Sequence, residues 1–350
     1  MATATGIHHR TYRAELRLRH TRAEWARLAI VVVLLVALPW LLNGYWLGIA
    51  NTILIAVIGA VGLNILVGFT GQISLGQGGF MAVGAYTCAI LSTRAGVPVP
   101  LAIVIAMFVT AGIGALFGLP ALRLKGLYLA IATLASQEII MFVVRRWGFL
   151  TEKDGEAKGY IEVPRLPFIE RETFEVQWYW ILLPVTFLAV LGARNLFRAS
   201  LGRSFMAVRD QDIAAEAIGV NLTRAKVTAF AVSSAFVGLA GSLGAYYTEI
   251  VTWERFTLDV SVTYLAMIIV GGLGSIAGSV YGAVFILVLP PLLTELGGKA
   301  SGSFIADQLP AIKNAVFGIA IIAFLLVEPR GLDRIWTRIK DYVRFWPFRY

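Results

Sequence analysis

The sequence predicts an all-α protein, a polytopic transmembrane helical bundle of about ten spans (roughly eight to ten) with glycine-interrupted helices. Three observations carry this. The 350 residues are 58% hydrophobic and only 15% charged, where an ordinary soluble domain carries about 25% charged residues. Many apolar runs reach the roughly 20 residues that a spanning helix needs. The basic residues gather beside those runs without interleaved aromatics, so the net charge of +9 reflects membrane sidedness rather than nucleic-acid binding. The single Cys88 lies in an apolar run and can form no disulfide within the chain. His8, His9 and His20 all precede the first span, so histidine builds no metal cluster inside the membrane. No cofactor or metal is expected.

Residues 1–27 carry Arg10, Arg13, Arg17, Arg19, Arg22 and Arg27 against Glu15 and Glu24. That bias places a basic tail in the cytoplasm, where it can also lie on anionic lipid. The transmembrane permease region then runs from 28 to 328, starting with a span from Leu28 to about Trp46 that is too long for a signal-peptide core.

Asn51 to Gly68 forms the second span. Behind it, Gly68, Gly71, Gly76, Gly78, Gly79 and Gly84 alternate with Gln72, Ser74 and Gln77. Two readings stand. Small residues let membrane helices approach closely. Alternatively, the glycines break the helix where its backbone lines a cavity. Leu101 to Leu119 spans next, and Arg123 and Lys125 mark a cytoplasmic turn. The following span, Gly126 to Arg145, contains Gln137 and Glu138. A carboxylate within a span is a functional candidate, and the alternative is that Glu138 pairs with Arg145 or Arg146 near the interface.

Residues 149–177 form the longest polar loop. From Arg145 to Gln177 there are six Lys/Arg and seven Asp/Glu, so charge does not fix its side; its Pro, Gly and acidic content suits an external loop. Trp178, Tyr179 and Trp180 then read as an interfacial anchor.

The loop 198–226 is the most informative polar stretch. Arg203, Arg209, Asp210, Asp212, Glu216, Arg224 and Lys226 are too dense for hydrocarbon, so it is aqueous, and its basic content makes it cytoplasmic. Asp210 or Asp212 can cap a short helix, Ala214, Ala215 and Ala217 favour it, and Gly219 can end it. Ile213 and Ala217, with Val208 and Val220, would give that helix a small apolar stripe. Such a stiff protrusion suits the groove of a soluble partner; the plainer reading is a solvated connector.

Val227 to Tyr247 spans outward with Ser233, Ser234, Gly238, Gly241, Ser242 and Gly244 as a close-packing face. Glu249 to Asp259 is an external acidic turn. Tyr264 to Leu293 is long enough for one tilted helix or two pieces. The basic tail 329–350 is cytoplasmic, like the N-terminus, so the crossings must be even in number, and a break over Gly271 to Ser275 supplies ten if every other segment crosses. Val67 to Ser74 and Val270 to Ala277 echo each other at these two interruptions, a pattern that points to a transport path.

The chain has no G-x-x-x-x-G-K-[ST] stretch, no zinc-binding H-E-x-x-H and no nucleophile elbow. It is therefore expected to be a transport subunit and no enzyme. Force for transport would come from outside the chain.

Five stretches carry a resemblance: Gly62 to Tyr86, Gly126 to Ala135, Gly202 to Lys226, Gly271 to Ala283 and Glu328 to Leu332. In this order they are similar to the membrane permeases of bacterial ABC importers for branched-chain amino acids, the LivH/LivM group and its LivM branch in particular. The resemblance implies an inner-membrane, multi-pass subunit with both termini cytoplasmic, importing branched-chain or related amino acids by alternating access. It implies as partners a second, LivH-like permease subunit, two ATP-binding subunits that hydrolyse ATP, a periplasmic substrate-binding protein, the amino-acid substrate and membrane lipid. It makes Arg209, Asp210, Asp212, Ala215, Glu216, Ala217 and Gly219 an ATPase-coupling segment. Gly71, Gln72, Ser74, Gln77, Glu138, Gly274 and Ser275 are candidates for the translocation path. At residues 151–159 this chain has TEKDGEAKG where relatives carry a Thr-Gly-Gly-x-x-Gly-like turn, so substrates such as urea or short amides stay open. A stand-alone channel or ion-coupled transporter is the rival class, and it would need buried charges that the spans, apart from Glu138, hardly offer.

Overall fold

The computed structural model describes residues 22–146, 152–153, 156–157, 160–166, 169–299, 318–319, 322 and 331–345. Most of the N-terminal tail, several positions of the 149–177 loop (149–151, 154–155, 158–159 and 167–168) and Glu328 to Arg330 lie outside the described residues. The chain falls into two compact units, Met1–Leu47 and Gly48–Tyr350.

The regular secondary structure of the described part is helical apart from two small β-ladders. In chain order the helices are α1 (Arg22–Leu41), α2 (Gly44–Thr70), α3 (Gln77–Thr93), α4 (Val99–Gly118), α5 (Leu127–Arg146), α6 (Phe174–Arg198), α7 (Ser200–Asp210), α8 (Asp212–Ala217), α9 (Leu222–Thr248), α10 (Leu258–Gly271), α11 (Ile276–Lys299) and α12 (Leu332–Phe345). Among the described residues, α2, α4, α5, α6, α9 and α11 are long and apolar enough to cross a membrane, and α1 contributes a shorter apolar stretch, Ala29–Leu41. The expectation of about ten crossings goes beyond these six. The expected break over Gly271 to Ser275 is present, because α10 ends at Gly271 and α11 begins at Ile276.

Burial sorts the helices. From Ile55 to Thr70 every residue of α2 is buried, as an all-round apolar helix requires. The α4 and α6 helices leave Leu101, Phe108, Leu116, Phe187 and Leu188 exposed, which is the side lipid would cover. The serine and glycine face expected on α9 packs as such. Ser233 donates to Gly62 O at 2.7 Å and Ser242 to Gly84 O at 3.1 Å. A Cβ at Gly238 would collide with Thr110, and one at Gly241 with the Met81 carbonyl, whereas Gly244 faces open space. Small residues thus set the α9 spacing to α3 and α4.

At one end of the bundle, β3 (Tyr160–Glu162) pairs antiparallel with β4 (Ile250–Thr252), in register Ile161 to Val251. Arg165 and Glu249 form an ion pair of 2.6 Å beside it. The polar loop 149–177 and the turn after α9 therefore share one end of the molecule. A shorter ladder joins β1 (Glu152–Lys153) to β2 (Glu156–Ala157). The aromatic anchor expected at Trp178 to Trp180 is only partly one. Trp178 and Tyr179 are buried, with Trp178 packed edge-on to Tyr247 at 5.8 Å, and Trp180 alone faces outward. The stretch read as a basic tail carries α12, whose Trp336 packs against Tyr281 of α11 at 6.4 Å.

Candidate functional site

The first helix break opens at Gly71. Its φ of +72° ends α2 in a left-handed turn, which glycine adopts without steric cost. Residues 71–76 have no helical or strand hydrogen bonding, and α3 starts at Gln77. Backbone groups inside an apolar bundle must find partners, and here mostly side chains supply them. Gln72 N returns to Leu66 O at 3.1 Å. Leu75 N donates to Thr133 Oγ1 at 2.9 Å, Gly76 N to Ser74 Oγ at 3.3 Å and Gly78 N to Ser261 Oγ at 2.8 Å.

Gln137 of α5 joins this segment to α10. With its amide oriented so that donors meet acceptors, Nε2 donates to Leu75 O at 2.9 Å and Ser261 Oγ at 2.7 Å, and Oε1 accepts from Leu258 N at 3.2 Å. Gln77 Nε2 donates to Gly59 O at 3.1 Å. Gln72 is 4% exposed, and neither of its amide atoms has a partner. Glu138, one residue from Gln137, points the other way. It is exposed and lies 3.5 Å from Arg145 Nη2, the ion pair of its alternative reading.

The second break lies between α10 and α11, with φ of +125° at Gly272 and +75° at Gly274. Asn64 of α2 fastens it. Its Nδ2 donates to Ser275 O at 2.8 Å and to Ser279 Oγ at 2.7 Å, and its Oδ1 accepts from Gly274 N at 2.9 Å. Gly68, one turn beyond Asn64, packs so closely that an added Cβ would strike both Asn64 and the Gly274 amide. The two echoing stretches are therefore face to face.

Beside both breaks, through Arg209, lies the 198–226 loop. It forms two helices, not one. The α7 helix buries Gly202, Phe205 and Val208, so Val208 anchors α7 and does not belong to the stripe of the protrusion. The α8 helix starts after Gln211 with no side-chain cap. Asp212 does not cap it. Its carboxylate instead accepts from Lys226 Nζ at 3.0 Å and lies 2.7 Å from Lys125 Nζ. Burial alone would raise the Asp212 carboxyl, but the hydrogen bonds and charges of Lys125 and Lys226 outweigh it and hold it below the ordinary carboxylate range. This clamp ties α8 to the α4–α5 turn and to the first turn of α9.

Gly219 ends α8 as expected, at φ +90°. Gly219 N donates to Glu216 O at 2.9 Å and Val220 N to Ala215 O at 2.9 Å, the paired bonds of a Schellman motif. Ala215 is 2% exposed and packs inward, so it offers nothing to a partner. The outward face is Ile213, Glu216, Ala217 and Ile218, with the two isoleucines 79% and 77% exposed. Asp210 is exposed too. Arg209 turns toward the glycine breaks: a Cβ at Gly71 or at Gly274 would find its side chain as the nearest neighbour.

Sequence reasoning passed over Asn64, Gln137 and Ile218. The available signal for the first two was an amide within an apolar span, which must find partners. For Ile218 it was a large apolar residue directly before a helix-ending glycine.

Residues 45–325 match the family described as the permease component of the branched-chain amino acid transport system. The LivM high-affinity branched-chain amino acid permease protein of Salmonella typhimurium is 34% identical over 77% of this chain and 68% of its own length. In Methanocaldococcus jannaschii, a probable LivM is 26% identical over 66% of this chain and 67% of its own. A probable LivH of that organism is 26% identical over 80% and 89%. No solved structure matches.

Proposed function

Because this chain belongs to the family of branched-chain amino acid transport permease components, we propose that it is one membrane-spanning subunit of an ATP-driven importer in the bacterial inner membrane. It pairs with a second, LivH-like permease, two ATP-binding subunits and a periplasmic binding protein, and moves branched-chain or related amino acids by alternating access. Both termini, α7 and α8 face the cytoplasm; the β3–β4 end faces the binding protein.

The observation that carries this reading is the form of α8. It is a short helix closed at its C-terminal end by a Schellman turn and clamped at its N-terminal end through Asp212. Its outward face holds Ile213, Glu216, Ala217 and Ile218. A rigid knob with two bare isoleucines around one carboxylate fits an apolar groove with a basic rim. The chain's two helix breaks supply the path: irregular backbone within a bundle is tolerated where it lines a cavity or is buried in protein. The residues proposed to line it are Gln72, Ser74, Gln77, Gly274 and Ser275.

Reconstitution with purified partners tests the reading. Leucine uptake into proteoliposomes should require ATP, both ATP-binding subunits and the binding protein. Uptake by this chain without ATP would instead make it a channel or ion-coupled carrier.

A further inference from the structure

We propose that Arg209 is the positioning residue through which movement of the α7–α8 protrusion reaches both helix breaks at once. The proposal rests on the reading of that protrusion as the ATPase-contacting element.

Arg209 is in the last turn of α7, one residue after the buried Val208, so it moves with that helix. Its stem lies along the first break. A Cβ built on Gly71 would stand 3.5 Å from Arg209 Cγ and 3.6 Å from its Cα. Its guanidinium reaches the second break, where a Cβ on Gly274 would meet Nη1 at 2.5 Å and Cζ at 3.5 Å. A single side chain thus lies beside the turning glycine of each echoing stretch.

The chemistry suits the place. The α2 helix ends at Thr70 and α10 at Gly271, so the two breaks beside Arg209 follow helix C-termini. Their last carbonyls carry partial negative charge, which favours a cation there. Among the described residues no carboxylate pairs with Arg209. A planar, weakly hydrated guanidinium can lie flat against glycine backbone, which a lysine ammonium does less well. Asn64 completes the link, because its bonds to Gly274 N and Ser275 O tie the second break to α2. A displacement of Arg209 therefore presses on both breaks together.

The test uses the importer reconstituted in proteoliposomes, with leucine uptake and ATP hydrolysis read in the same vesicles, and the melting temperature of the permease in detergent. Arg209→Ala should still bind the ATP-binding subunits and support hydrolysis, while uptake per ATP falls about tenfold, within the range of an allosteric coupling. Arg209→Lys should fall between. In a double-mutant cycle, Gly274→Ala should lower the melting temperature less when Arg209→Ala is also present. Gly71→Ala should cost the same in both backgrounds, because its Cβ has ordinary contact distance to the arginine. Unchanged uptake per ATP, loss of subunit association by Arg209→Ala, or an additive Gly274 cycle would overturn the proposal. If the wild-type permease binds no ATP-binding subunits, the functional reading fails and the proposal with it, whereas the melting cycle still reports the Arg209–Gly274 contact.

Discussion

Gly71 and Gly274 adopt the same left-handed backbone conformation, with φ of +72° and +75°, at corresponding positions of two stretches that lie about two hundred residues apart in sequence and face to face in space. One ends α2 and the other sits in the turn between α10 and α11. The likeness of Val67–Ser74 to Val270–Ala277 is thus structural as well as compositional.

The first prediction concerns these glycines. An L-residue in the left-handed region costs about 1–2 kcal/mol. Gly71→Ala should show little beyond that cost, since only ordinary contacts surround its Cβ, whereas Gly274→Ala adds a clash with Arg209 and close approach to Gly68 O. Thermal unfolding in detergent should therefore rank Gly274→Ala below Gly71→Ala. Replacement of either by Leu should cripple uptake while leaving membrane insertion intact; normal uptake by both Leu variants would reduce the breaks to packing.

Asn64 provides the second. Asn64→Leu keeps the branched outline but strips three hydrogen bonds and leaves the Gly274 amide unpartnered. An orphaned buried polar group costs about 1–3 kcal/mol. The variant should melt lower and hydrogen exchange at residues 272–275 should speed up. Unchanged exchange there would mean that the second break is held by other contacts.

The third prediction follows from Asp212, whose folded-state pKa is depressed. A depressed carboxyl contributes stability above its unfolded pKa and loses it as pH falls through the folded value. The clamp on α8 should be constant near neutrality and weaken only below about pH 4. Asp212→Asn should loosen α8 at neutral pH, seen as greater mobility of a spin label attached at position 217 in a Cys88→Ala background, and the acid-dependent change in mobility should disappear. Mobility that rises between pH 6 and 8 in the parent would assign the clamp to another group.

Much of this architecture was legible in the residues, because hydropathy and basic flanks report directly on what a bilayer excludes. The two breaks were legible too, since clustered glycines interrupt the apolar runs there, and Gly71, Gly272 and Gly274 take positive φ. Partner choice was harder to see. Asp212 looks like a helix cap until Lys125, 87 positions away in sequence, arrives beside it with the buried Lys226. Ala215 looks like a surface alanine, but the register of a six-residue helix turns it inward. Glu138 and Gln137 are neighbours in sequence, and only the helix rotation decides that the amide enters the bundle and the carboxylate does not.

The account's central claim is that α8 receives the stroke of an ATPase, and transport by knob variants tests it most directly. Ala217→Trp adds bulk to the outward face. Glu216→Lys reverses its charge, where a buried interfacial pair would cost about 2–5 kcal/mol and a rim charge would change mainly rate and salt dependence. Gly219→Pro demands a φ near −65° where the chain needs +90°. Leucine uptake and pull-down of the ATP-binding subunits should be lost in Ala217→Trp, weakened in Glu216→Lys and impaired in Gly219→Pro, with binding-protein docking intact in all three. Full association and full ATP-driven uptake by all three variants would contradict the account and leave α8 a solvated connector.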